Sequence, residues 1–305
     1  MNIFKPGPDN LCASVLTWLF DGYWPTAGQP ETGPVVVPGP TQRYTLQRML
    51  AVGDVADIHL ATVEDEPTAQ YLLKVARVAE GRALLDVEQQ TLMQLLAAAG
   101  DTTYRQYLPE LIESFPVRDR IPKRVNVFRA QPGFRTLEQV HEQLPALDGR
   151  HLGWIFNRLL TVLGFIRRQG WVHGAVLPCH VLIHPEQHGL QLVGWGQGVP
   201  EGQRIRSLSA RYRTWYPPEV FAKQAAGPAT DLYLAARCIV YLAGGDPATD
   251  WLPDAVPPPL QRFLRTCLLP GPRMRPDDAW DVLEDFNDVL RSLYGPPKFH
   301  ALQLR

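Results

Sequence analysis

The stretch from Trp171 to Gly198 constrains the chain most. Two short apolar runs, Val181-Leu182-Ile183 and Leu190-Gln191-Leu192-Val193, flank a turn from His184 to Gly189. Pro185 and Gly189 punctuate that turn, so the segment reads as a β-hairpin. A His173-Gly174-Ala175 loop precedes the hairpin, and a Gly194-Trp195-Gly196 turn follows it. Just upstream, Gly149–Gln169 carries Trp154, Ile155, Leu159, Val162, Leu163 and Ile166 at helical spacing. That is a core helix, and Gly170 ends it.

The 305 residues leave room for two lobes with a sizeable core. A formal net charge of -1 supplies no global field for nucleic acid or an anionic membrane, and neither is an expected partner. No apolar run approaches the roughly 20 residues that span a bilayer. The N-terminus shows no secretory pattern, and Cys12, Cys179, Cys238 and Cys267 lack CxxC pairing. These features predict reduced thiols and a cytoplasmic location.

Three regions follow from composition. Residues 1–40 form an N-terminal arm and Pro/Gly linker, with Trp18, Phe20, Tyr23 and Trp24 in one aromatic patch and Gly28–Pro40 as the linker. The patch either packs on the chain's own body or docks another protein.

In residues 41–132, Tyr44–Ala51 and Ile58–Val63 alternate like strands around a turn with Gly53 and Asp54. Tyr71–Ala76 reads as a buried strand holding Lys74, which needs a partner there. Glu88, on an apolar-faced helix from Leu84 to Leu96, is the candidate. Asn126–Ala130 reads as an edge strand, and Gln131-Pro132-Gly133 as a hinge.

In residues 133–305, Thr136 and Gln139 form a capping-box pattern. Arg204, Arg206, Arg211 and Arg213 lie in a solvated loop. Thr230–Gly244 is an apolar helix with Thr230 as its cap, and another helix lies near Leu260–Leu269. Between them Gly245–Pro259 shows no helical period and presents Trp251.

These motifs, in this order, resemble those of protein kinases over about Arg43 to Leu293. The resemblance implies an α+β, bilobal protein-kinase-like fold with a small β-rich N-lobe and a larger helical C-lobe. It places Gly53 in the glycine-rich loop and matches Lys74 and Glu88 to the strand lysine and helix glutamate. His173 matches the catalytic-loop histidine, and Asp231 the aspartate that ties that loop to the core. Glu219, in Tyr216-Pro217-Pro218-Glu219, matches the glutamate that pairs with a late arginine, here Arg275.

The reactive positions depart from the pattern. Ala175 stands at the catalytic aspartate, His180 at the asparagine, Gly194 at the D-F-G aspartate, and Leu177 at a phosphate-contacting lysine. Phosphoryl transfer relies on charge neutralisation by metal ions held at two of these positions. The departure predicts a bacterial-type pseudokinase that is not an enzyme, with no cofactor beyond weak, metal-independent ATP. It would hold another protein through Trp18, Trp24 and Trp251. The alternative is an atypical phosphotransferase using Asp54, Glu186 or Glu201. A metal site among His173, Cys179, His180, His184 and His188 is disfavoured because Pro178 and Pro185 break the helix that would align them.

Overall fold

Buried and half-buried residues alternate along Ala56–Val63, the mark of a strand with one face in a core. In the computed structural model, which describes residues 35–117 and 123–304, that strand lies inside a six-stranded antiparallel sheet. Its strands are β1 (Val36–Pro38), β2 (Arg43–Val52), β3 (Ala56–Val63), β4 (Glu66–Ala76), β5 (Leu111–Val117) and β6 (Lys123–Arg129). Their spatial order is β1-β2-β3-β4-β6-β5. Register aligns Asp57 with Val75 and Val125, and His59 with Leu73 and Val127, so these rows share one face. Tyr44, Ala61, Val63, Tyr71 and Phe115 complete the core on that face.

Two sequence expectations change here. Val36–Pro38, inside the expected linker, is a strand paired to β2 through Val37 and Tyr44. The strand expected at Asn126–Ala130 is interior rather than an edge, because β5 pairs along its outer side. Trp18 and Trp24 lie outside the described residues.

The chain divides into two compact units. Residues up to Asp86 with Glu110–Ala130 make the first, and Val87–Pro109 with Gln131–Arg305 the second. Helix α1 (Ala79–Ala99) starts in the first and continues into the second.

The second unit is mostly helical. Helix α2 (Leu137–Gln143) begins with a capping box: the Gln139 N–H donates to the Thr136 hydroxyl at 3.2 Å, and the Thr136 N–H to Gln139 Oε1 at 3.0 Å. Helix α3 (Gly149–Arg168) is capped by Asp148, and its apolar stripe is buried. It packs on α5 (Pro228–Leu242) and α7 (Ala279–Tyr294). A Cβ on Gly164 would meet the Trp280 ring at 2.5 Å, so a glycine lets α3 and α7 approach there. Helices α4 (Pro218–Phe221) and α6 (Pro258–Cys267) also belong to this unit. Helix α5 starts at Pro228, not at Thr230: Gly227 is its N-cap and Pro228 its first residue, where a missing N–H costs nothing.

The described chain is thus mixed α+β, an antiparallel sheet followed by helices. Among the described residues, no helix is long and apolar enough to cross a membrane.

Candidate functional site

The second unit builds a site around one hairpin. Strands β7 (Val181–His184) and β8 (Gly189–Leu192) pair with Leu192 opposite Val181 and Gly189 opposite His184. The loop before the hairpin carries Ala175, Val176 and Leu177, all fully buried.

Asp231, in the first turn of α5, holds the start of that loop. Its carboxylate accepts the His173 N–H at 2.6 Å and the Gly174 N–H at 2.8 Å. Gly174 has a φ of +72°, a left-handed conformation suited to glycine. Burial pushes the Asp231 carboxyl up to about 7, against the pull of those two N–H groups.

His173 is fully buried and anchored on both ring nitrogens. The Ala175 N–H donates to Nδ1 at 3.2 Å, so Nε2 carries the proton and donates to the Val193 carbonyl at 3.0 Å. Trp195, also fully buried, sets its ring 4.5 Å from that imidazole, and its indole N–H donates to the Leu192 carbonyl at 2.8 Å.

His180 turns its ring inward as well. Its Nδ1 bonds to the Ala175 carbonyl at 2.9 Å, and the ring lies against Gly194. Ala175 presents a methyl group, Gly194 has no side chain, and the His180 ring occupies the space between. A hard divalent cation takes oxygen ligands, and this set offers none from its side chains. The arrangement does not fit the metal pair of a protein kinase. Among the described residues, no group of three or more His, Cys, Asp or Glu is placed to hold a metal ion.

A second polar cluster braces the same unit. Glu219, on α4, and Arg275 form a two-pronged ion pair with both N–O distances 2.8 Å and side chains 1% and 0% exposed. Arg275 also donates to the Ala229 and Pro270 carbonyls and lies 4.5 Å over the Tyr233 ring. Thr230 donates to Glu219 Oε1 at 3.2 Å.

Contacts that no local sequence pattern announces fasten the arginine-rich segment. Glu138, on α2, receives both the Tyr212 hydroxyl and, at 2.8 Å, the Arg211 guanidinium. Arg237, on α5, reaches the Thr214 carbonyl at 2.6 Å and Asp250 at 2.9 Å. The one available signal was charge inside an apolar helix: Arg237 is a lone cation among buried residues of α5.

The remaining candidates are dispersed. Gly53 closes the β2–β3 turn, its N–H donating to the Ala56 carbonyl at 3.0 Å. Lys74 lies on β4 of the first unit, in register with Ile58 and Asn126. Glu88 is buried in the portion of α1 that belongs to the second unit. Trp251 is 57% exposed and makes a single β-bridge to Asp246.

No known family model matches the chain. It is similar to "Serine/threonine-protein kinase F" of Synechocystis sp. (strain ATCC 27184 / PCC 6803 / Kazusa), with 26% identity over 286 residues. The match covers 83% of this chain and 56% of that protein, so the chain spans little more than half of the relative's length. This finding corrects one expectation. The chain was expected not to be an enzyme from Ala175, His180 and Gly194, but similarity to a serine/threonine protein kinase points toward one. The similarity supports a protein-kinase-like relationship for this chain.

Proposed function

We propose that this chain is a bilobal protein-kinase-like protein, an atypical serine/threonine phosphotransferase that binds ATP weakly and without a divalent cation. The observation that carries this reading is the similarity to a serine/threonine protein kinase over 83% of the chain. The loop held by Asp231 and the buried Glu219–Arg275 pair are in keeping with it. Gly53, Lys74 and Glu88 are the residues proposed to act on the nucleotide. The acidic chemistry would come from Asp54, Glu186 or Glu201, since Ala175 and Gly194 carry no carboxylate.

Slow turnover follows from those substitutions. Loss of a positioned general base costs about 10²–10⁴ in rate, and ordinary kinases turn over at roughly 1–100 s⁻¹. Phosphate transfer from labelled ATP to serine and threonine peptides tests the reading, with and without Mg²⁺ or Mn²⁺. Transfer below about 1 s⁻¹ that is insensitive to the metal and lost in Lys74→Ala is the expected result. No transfer from homogeneous protein, or a rate unchanged by Lys74→Ala, overturns it.

A second reading, that the same frame holds a protein partner, is favoured by the exposed Trp251 in a segment without helix. Trp18 and Trp24 are proposed to share that role. Affinity capture compares the full chain with Trp251→Ala and with a chain lacking residues 1–34, which spares β1. An unchanged partner set in both variants ends this reading.

A further inference from the structure

Residues 295–304, beyond α7, return to the turn of the β7–β8 hairpin. The Leu302 N–H donates to the Pro185 carbonyl at 3.1 Å, and the Leu302 side chain is buried. His188, in the same turn, donates from Nε2 to the His300 carbonyl at 2.7 Å. A φ of +54° puts His188 in the left-handed region that side chains rarely adopt. That bond and two ring contacts hold it there: the imidazole stacks on Trp154 of α3 at 4.1 Å and meets Phe299 at 4.3 Å. Backbone strain of this kind persists only where the surroundings impose it, and it gathers at ligand sites.

Two cavities, of about 250 and 200 Å³, share Trp154 and His188 in their walls. Arg150, Lys298, Phe299 and His300 also line the larger one, and Asn157 and Arg158 the smaller. Among the described residues, no carboxylate lines either cavity. Asp148 accepts the N–H groups of Arg150 and His151 as the cap of α3. Burial and then the positive charges of His151, Arg158 and His300 hold the His188 imidazole below its ordinary value, against the pull of the His300 carbonyl. The corner is a patch of positive potential on a chain whose formal net charge is -1. The Arg150 guanidinium lies 4.8 Å over the Tyr294 ring. Stacking fixes its plane and leaves its edge of N–H groups to face a ligand.

We infer that the larger cavity binds a small aromatic carboxylate, with Arg150 and Lys298 gripping the carboxylate and Phe299 receiving the ring. A guanidinium edge donates to both oxygens of a carboxylate, the strong bidentate arrangement. Phe299 is 64% exposed even with His188 against it, so ring surface remains to stack on a flat partner. A volume of about 250 Å³ falls below the roughly 300–1,000 Å³ of drug-sized sites, which limits the ligand to about one ring. The tail from Pro297 to His300 forms one wall, so a bound ligand also fastens the tail to the hairpin. All of these residues belong to the second unit, and the site is independent of the proposed phosphate transfer.

Benzoate is the probe, titrated into the intact protein by calorimetry and NMR. Saturable binding with a Kd of about 1 mM is expected, the strength open to a ligand of so few atoms. The His188 and His300 imidazole signals and the Trp154 indole signal should shift with the same Kd. Arg150→Gln should weaken binding by about tenfold, the loss of bonds from a charged donor, and Phe299→Ala by about threefold. Both side chains are exposed, so both variants should melt as wild type does. Benzamide, which has the same shape without the charge, should bind about tenfold more weakly or worse. With benzoate at about ten times its Kd, exchange at the Leu302 amide should slow by about tenfold, because the tail then opens only after the ligand leaves. No saturation by about 20 mM benzoate overturns the assignment. So does equal binding of benzamide, or a Kd that neither Arg150→Gln nor Lys298→Gln moves. Unchanged Leu302 exchange with benzoate bound overturns the tail-lined cavity as its seat. Inorganic phosphate that binds more tightly than benzoate overturns the aromatic ligand.

Discussion

The His180 ring lies so close to Gly194 that a Cβ at position 194 would sit 2.6 Å from its Cδ2 and 2.8 Å from its Nε2. Gly194 also has a φ of +84°, a conformation side chains rarely adopt. The imidazole is held there by its Nδ1 bond to the Ala175 carbonyl. The residues at 175, 180 and 194 therefore form one interlocked arrangement, in which each small or neutral group makes room for the next.

A direct consequence concerns Gly194→Asp. A carboxylate cannot simply be restored, because its Cβ has no space beside the ring. The substitution should destabilise the protein by about 1–3 kcal/mol, the usual range for overpacking a filled site. Removing the ring first should relieve the clash. The His180→Asn, Gly194→Asp double variant should be more stable than the sum of the singles by about 0.5–3 kcal/mol. Urea melts of the four proteins measure that coupling, and additive effects would show that the contact does not constrain position 194.

The Glu219–Arg275 pair offers a sharper stability test. Both side chains are almost fully buried, so removing one leaves the other charged and unpaired. Arg275→Ala should cost about 3–5 kcal/mol. Replacing both residues by apolar ones of similar size should cost less than either single change, because no orphan charge remains. A denaturation midpoint for Arg275→Ala equal to wild type would contradict this account.

How far the site could be read from the sequence depends on how local each contact is. The β7–β8 hairpin was legible because Pro185 and Gly189 punctuate its turn and the flanking runs are short and apolar. The Thr136–Gln139 capping box was legible because both partners lie within one turn. Strand β5 escaped notice because Glu113, Ser114 and Pro116 interrupt its apolar run, and without β5 the adjoining strand looked like an edge. Strand β1 was hidden among prolines and glycines that suggest a linker. Nothing in the spacing of His180 and Gly194 shows that one ring fills the other's missing side chain. The same holds for Arg77 and the Gly53 and Asp54 carbonyls, which meet only once three strands are in register.

In the first unit, His59 should govern part of the response to acid. It is 4% exposed, its Nε2 has no hydrogen-bond partner, and burial holds its pKa below the ordinary imidazole value. The folded state therefore resists protonation more than the unfolded chain does. Below the unfolded value, near 6.5, the unfolded chain takes up more protons and stability falls with falling pH. His59→Leu should flatten that acid-side decline. Parallel stability curves for wild type and variant from pH 7 to 5 would place the acid sensitivity elsewhere.

Asp231 should act in the opposite direction in the second unit. Its carboxyl is raised from an ordinary value of 3.8 to about 7 by burial, so the folded state holds its proton more tightly than the unfolded chain does. Between about pH 4 and pH 7 the unfolded chain has released that proton and the folded one has not, so this group's contribution falls as pH rises. It is fully present below about 4 and exhausted above about 7. Asp231→Asn cannot titrate, and its amide offers an N–H where one of the two backbone N–H groups from His173 and Gly174 now finds an acceptor. At pH 4 the variant should be less stable than wild type by about 1–3 kcal/mol, the cost of a buried donor left unsatisfied. From pH 4 to pH 7 wild type should lose about 1.4 kcal/mol for each unit of the shift, enough to close that gap and reverse it, and above pH 7 the difference should stay constant. Denaturant melts at half-unit steps measure it. A gap that widens with pH would mean that the two N–H bonds outweigh burial and that Asp231 grips the loop as a carboxylate throughout this range.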